Sequence, residues 1–120
     1  MKLNAMKHLT CLLALLSISL SAQAGDASKG AEALKKNNCA SCHGDNYSKS
    51  TDVSIPKLAG QHQDYLVQAL RQYRAGDNKT AALARNNAIM TGTAKKLSDA
   101  DINNIAAYLA KLPGELKVAK

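Results

Sequence analysis

The chain has 120 residues, 16 Lys and Arg against 9 Asp and Glu, a formal charge of +7, and neither Phe nor Trp. That length allows one small domain and excludes a large self-sufficient enzyme. An apolar fraction of 46% is too high for intrinsic disorder, and no apolar run approaches the ~20 residues of a spanning helix, which excludes a multi-pass membrane protein.

The first element is a leader. Lys2 and Lys7 precede an uncharged, Leu-rich run from Leu9 to Leu20, and Ala22-Gln23-Ala24 follows as an A-x-A cleavage site. Residues 1–24 therefore read as a secretory signal cut before Gly25. A short membrane anchor is the competing reading, but the apolar run is short and polar residues follow it at once. Cys11 lies inside that run rather than after it, so it reads as a small apolar residue of the leader, not a lipid attachment point. Loss of Lys2 and Lys7 takes the charge from +7 to +5. Residues 25–120 remain as one exported domain, periplasmic, with no stable membrane insertion after cleavage. Two cysteines remain, Cys39 and Cys42, too few for a disulfide framework in a domain of this size.

Three main helices are expected, and no strand pattern. The first spans Ala27 to Asn38, capped by Asp26 or Ser28, with Ala27, Ala31 and Leu34 on one face. The second spans Gln63 to Ala75, with Leu66, Ala69, Leu70 and Tyr73 on one stripe and Gly76 as its stop. The third begins at Ser98, with Asp101 three residues on approximating a capping box. Ile102, Ile105, Ala106, Leu109 and Leu112 form its apolar face, and Pro113-Gly114 ends it. A shorter helix is expected over Thr80 to Asn86. Residues 44–60 and 86–96 read as loops, the second containing Met90. A core without Phe or Trp is thin for a domain of this length, and a large planar apolar cofactor would complete it.

Cys39-Ala40-Ser41-Cys42-His43 is C-x-x-C-H, the attachment motif of c-type haem. Two thiols three positions apart lie about one helical turn from each other. They can add to the two vinyl groups along one porphyrin edge, and the next residue places an imidazole under the iron. A thioredoxin-like pair would leave His43 unexplained and needs strands that the chain lacks. A zinc site built from Cys39, Cys42, His43 and His62 lacks the second half of the usual spacing. A plain disulfide explains neither the spacing nor the histidine. The expected cofactor is one covalent haem c, with His43 as proximal iron ligand. Met90, the one methionine beyond the leader, is the expected distal ligand, because a thioether suits low-spin iron and raises its potential. Core filler is the commoner role of methionine. His62, the competing ligand, reads as a surface residue at a helix start.

Together with Ile55-Pro56-Lys57-Leu58-Ala59-Gly60-Gln61, Asn87-Ala88-Ile89-Met90 and Leu97-Ser98-Asp99-Ala100-Asp101-Ile102, this motif resembles the class I c-type cytochromes, more narrowly the bacterial monohaem c553/c4-like kind. The resemblance covers essentially residues 25–120. It departs from the family pattern after Gly76, where Asp77-Asn78-Lys79 stands in place of an early arginine. It implies an all-α cytochrome c fold, three main helices with a short helix and loops around one covalent haem. It implies that the Pro56 carbonyl accepts from His43 Nδ1–H, a contact that fixes the tautomer and strengthens the ligand. It also implies that Gly30 and Tyr108 meet where the first and last helices cross, which accounts for a glycine inside a helix.

The expected function is a periplasmic one-electron carrier between respiratory redox partners, without catalytic residues of its own. Two readings compete with it. One is a haem-based ligand sensor or peroxidase-like protein, and the other a dedicated electron-accepting subunit of a dehydrogenase or oxidase. The basic excess suits acidic docking surfaces on partner proteins and salt-sensitive association. Nucleic acid is not an expected partner in this compartment.

Overall fold

The computed structural model describes residues 24–76 and 84–115. The leader therefore lies outside the described residues, apart from Ala24, and so do Thr80–Leu83 of the expected short helix. Residues 84–86 of that expectation carry no helix. The described residues form five helices and no strand. Helix α1 spans Ala27–Lys36, α2 Ala40–His43, α3 Gln63–Ala75, α4 Ala88–Ala94 and α5 Asp99–Lys111.

Each long helix starts or stops where its own sequence tells it to. The Asp26 carboxylate accepts from the Ser28 and Lys29 amides at 2.9 and 3.3 Å, satisfying two orphan donors of α1. At the far end, Lys35 and Lys36 sit in the last turn, against the negative end of the helix dipole. Asn38 then turns left-handed at φ 53°. Its amide bonds back to the Lys35 carbonyl, and the Cys39 amide to the Leu34 carbonyl, each at 3.1 Å. This is a Schellman closure, with Asn in the position glycine usually fills. It ends α1 two residues earlier than Asn38 and delivers the chain into α2. Helix α3 keeps its expected bounds and stops at Gly76. Helix α5 opens on a reciprocal capping box between Ser98 and Asp101.

The loop expected over residues 86–96 is instead α4, a helix with Met90 in its first turn. Asn87 in extended conformation caps it, its side chain accepting from the Met90 amide at 3.0 Å. Seven residues make too short a helix to display an apolar period, so the one legible signal was the asparagine before Ala88-Ile89-Met90.

The core forms where α5 lies across α1 and α3. Leu34, Leu66, Leu97, Ile102, Ile105, Ala106 and Leu109 are buried there, with Tyr47 and Ala59 from the long loop. Gly30 makes the crossing possible. A Cβ built on it would stand 2.0 Å from the Asn104 carbonyl oxygen and 2.9 Å from Tyr108 Cβ. Alanine is better by roughly 1 kcal/mol inside an isolated helix, so the sign of a substitution here reports which effect wins. Gly30→Ala is expected to destabilise the protein by about 1–3 kcal/mol in chemical denaturation, as overpacking does. A neutral or stabilising result would mean that the helices separate freely.

A candidate haem-attachment site

Helix α2 is one turn long, and it carries the whole C-x-x-C-H sequence with Cys39 at its N-cap. The His43 amide donates to the Cys39 carbonyl at 3.1 Å and the Gly44 amide to the Ala40 carbonyl at 2.9 Å. Ser41 Oγ donates to the Asn38 carbonyl at 2.8 Å and tightens the entry. Gly44 ends the turn at φ 83°, and a Cβ there would lie 2.0 Å from the Lys49 carbonyl oxygen. Only glycine allows the loop to fold back this closely on the motif.

The loop then locks the histidine. His43 is buried, at 6% exposure, and its Nδ1 lies 2.9 Å from the Pro56 carbonyl oxygen. A carbonyl only accepts, so the proton sits on Nδ1 and the lone pair is on Nε2. Ser50 Oγ donates to the same Pro56 oxygen at 3.2 Å, and Thr51 donates to the Cys42 carbonyl through its amide at 2.9 Å and its hydroxyl at 3.1 Å. Ser50 and Thr51 thus tie the loop to both ends of the site. Neither stood out in the sequence, because the contact pairs residues six to nine apart across a turn with no period.

Tyr47 is a further residue that sequence reading passed over. It is buried at φ 58°, its carbonyl accepts from the Leu58 and Ala59 amides, and its ring meets Tyr108 edge-on at 6.5 Å between centroids. Burial pushes its hydroxyl above the usual range, with Cys39, Tyr108 and Asp45 adding to the effect. The ring anchors the loop to α5. The Gly60 amide does so again, donating to the Leu109 carbonyl at 3.0 Å.

Cys39 and Cys42 are both free thiols and half-buried. Burial raises the Cys39 thiol above its ordinary value, and Cys42 adds to this. A thiol–disulfide exchange pair needs the opposite, a thiolate favoured by its surroundings. Among the described residues, no three His, Cys, Asp or Glu side chains converge as a structural zinc would require. Cys39, Cys42, His43 and Pro56 thus form one hydrogen-bonded cluster. Met90 is carried separately on α4, which packs on α3, and it is half-buried. His62 is exposed at the N-cap of α3 and makes no side-chain cap bond.

The residues present fit a covalent haem. Two unpaired thiols stand one turn apart, a buried imidazole keeps Nε2 for a metal, and among the described residues the largest fully buried side chains are Leu34 and Ile102. The family model of cytochrome c matches residues 27–113, from the start of α1 to just past α5. The chain belongs to the cytochrome c family. It is 40% identical to cytochrome c-554(548) of Halomonas halodenitrificans, over 71% of this chain and 94% of that protein. It is 37% identical to a thiosulfate dehydrogenase electron acceptor of Thiomonas intermedia, over 74% of this chain. The solved structure of reduced cytochrome c4 from Pseudomonas stutzeri superposes with a TM-score of 0.65 at 36% identity, covering 81% of this chain. The chain spans 38% of the Thiomonas protein and 50% of the solved c4 chain. A cytochrome c domain carries haem c, and Cys39, Cys42 and His43 are its attachment motif in this chain.

Proposed function

We propose that this cytochrome c is a one-electron carrier of the periplasm, exported by residues 1–24 and folded over residues 25–120, with no catalytic activity of its own. The observation that carries the reading is the bond from His43 Nδ1 to the Pro56 carbonyl beside the two free thiols. Bound haem supplies a reversible Fe(III)/Fe(II) couple. The thiols of Cys39 and Cys42 anchor it, so a domain with few bulky core residues keeps its cofactor. The Pro56 carbonyl polarises the Nδ1–H bond and makes Nε2 of His43 a stronger, fixed donor to the iron. Met90 would hold the iron through a soft thioether, which would exclude substrate and favour electron transfer over ligand chemistry.

The partners are redox proteins. Acidic docking surfaces on them suit the basic excess of this chain. The name of the Thiomonas relative supports a second reading, in which a dehydrogenase delivers electrons to this chain as its dedicated acceptor. Potentiometric titration monitored in the visible range tests the carrier function. A single one-electron transition is expected, with no peroxide turnover in either state. Sustained peroxidase activity, or immediate carbon monoxide binding by the reduced protein, would replace the carrier with a sensor or catalyst.

A further inference from the structure

Arg85 is the strongest feature that the haem site does not use. It stands three residues before α4, and its backbone amide, Nε and Nη2 all bond to α3. Its backbone amide donates to the Gln72 carbonyl at 3.1 Å, and its Nε to Gln72 Oε1 at 2.8 Å. Its Nη2 donates to the Tyr65 hydroxyl at 3.3 Å. The guanidinium also lies over two rings, 5.4 Å from the centroid of Tyr65 and 5.6 Å from that of Tyr73. Two of the four tyrosines of the chain are therefore committed to one cation. Arginine alone offers a planar fork that donates along its edge while its faces stack on rings.

The far end of the same segment is tied to α3 as well. Arg74 donates through Nη1 to the Leu97 carbonyl at 3.2 Å and through Nη2 to Asp99 at 2.7 Å. Between the two ties, Thr91 packs on Gly76, where an added Cβ would stand 2.7 Å from Thr91 Cγ2. Helix α4 has only seven residues and few buried side chains, Thr91 and Ala94. A helix this short has little stability of its own. Its place depends on what fastens its ends.

We propose that Arg85 is a positioning residue, a clasp on Gln72, Tyr65 and Tyr73 that holds α4 against α3 and so sets how often Met90 leaves the iron. This rests on the reading of Met90 as distal ligand. A ligand on a segment that opens is replaced by outside ligands at a rate set by the opening. Loss of the clasp therefore speeds that exchange without touching the thiols or His43.

The test uses the oxidised holoprotein and two measurements. Amide hydrogen exchange of residues 88–94 reads the clasp directly, whatever binds the iron. The rate of imidazole binding to the ferric haem reads its effect on the distal position. Arg85→Gln is expected to raise both by about tenfold or more, the weight of one half-buried hydrogen-bonded cation on two rings, with exchange in α1 and α5 unchanged. Arg85→Lys keeps the charge but not the fork, and falls between. Tyr73→Leu, which leaves Arg85 in place, moves both in the same direction by less. In a Met90→Ala background, imidazole binding is already fast and Arg85→Gln adds nothing to it. Unchanged exchange over residues 88–94 in Arg85→Gln overturns the clasp. Raised exchange with unchanged imidazole binding, while Met90→Ala alone accelerates that binding, overturns its control of the iron. If Met90→Ala has no effect on imidazole binding either, it is the distal assignment that fails, and with it the role of the clasp at the haem.

Discussion

Cys39→Ala combined with Cys42→Ala is expected to give a chain that loses its haem on acid extraction, whereas the native chain is expected to carry the mass of one haem and keep it. Cys39 caps the single turn of α2 and Cys42 lies within it, so the two thiols are spaced as addition to two vinyl groups along one porphyrin edge would need. The effect extends beyond the cofactor. The core has no Phe or Trp, and among the described residues the fully buried side chains reach no larger than Leu34 and Ile102. A domain of this size draws little stability from so small a core. The double variant is therefore expected to lose most cooperative thermal unfolding as well, read by circular dichroism beside the intact mass. Retention of a sharp transition would show that the side chains suffice. Expression with haem-maturation machinery that yields apo mass and two free thiols in the native chain would remove the covalent site itself.

Met90→Ala has the second largest expected effect, on the chemistry rather than the fold. The oxidised native protein is expected to show a weak far-red band from sulfur to iron, and the variant to lack it. Its reduction potential falls by a sizeable part of the roughly 0.8 V that axial ligands span. Carbon monoxide and cyanide then bind readily, while the haem stays attached, because Cys39, Cys42 and His43 are untouched. The backbone tolerates the change, since the cap of α4 runs from the Met90 amide to the Asn87 side chain and does not involve the thioether. His62→Ala is the companion measurement. That residue is exposed at the start of α3, so no change in band, potential or ligand binding is expected. If His62→Ala exposes the iron and Met90→Ala does not, a low-potential haem with two histidines replaces the present assignment.

How far the sequence alone reached follows from the range of the interactions involved. The haem motif, the bounds of α3 and the capping box of α5 are relations between residues three or four apart, fixed by helical geometry in any context. Asp26 caps α1 for the same reason. The length of α1 was overread by two residues, because Asn38 adopts a left-handed conformation that its side chain permits but does not require. Gly30 pointed to a close crossing, since a glycine inside a helix has a cost that something must offset, and the family resemblance named Tyr108 as its partner, which the structure places there.

The remaining features depend on residues that meet only after folding. Helix α4 exists because Asn87 caps it and α3 supports it, and seven residues carry no period strong enough to announce this. Tyr47 is buried because α5 brings Tyr108 against its ring. Arg85 finds Gln72, Tyr65 and Tyr73 only once α3 presents one face to it. The sequence by itself determined the cofactor chemistry and the long helices, because those are local. The tertiary structure decided how Ser50 and Thr51 tie the loop around the histidine and how α4 is held on α3, because hydrogen bonds and ring contacts between distant residues leave no spacing in the chain to read.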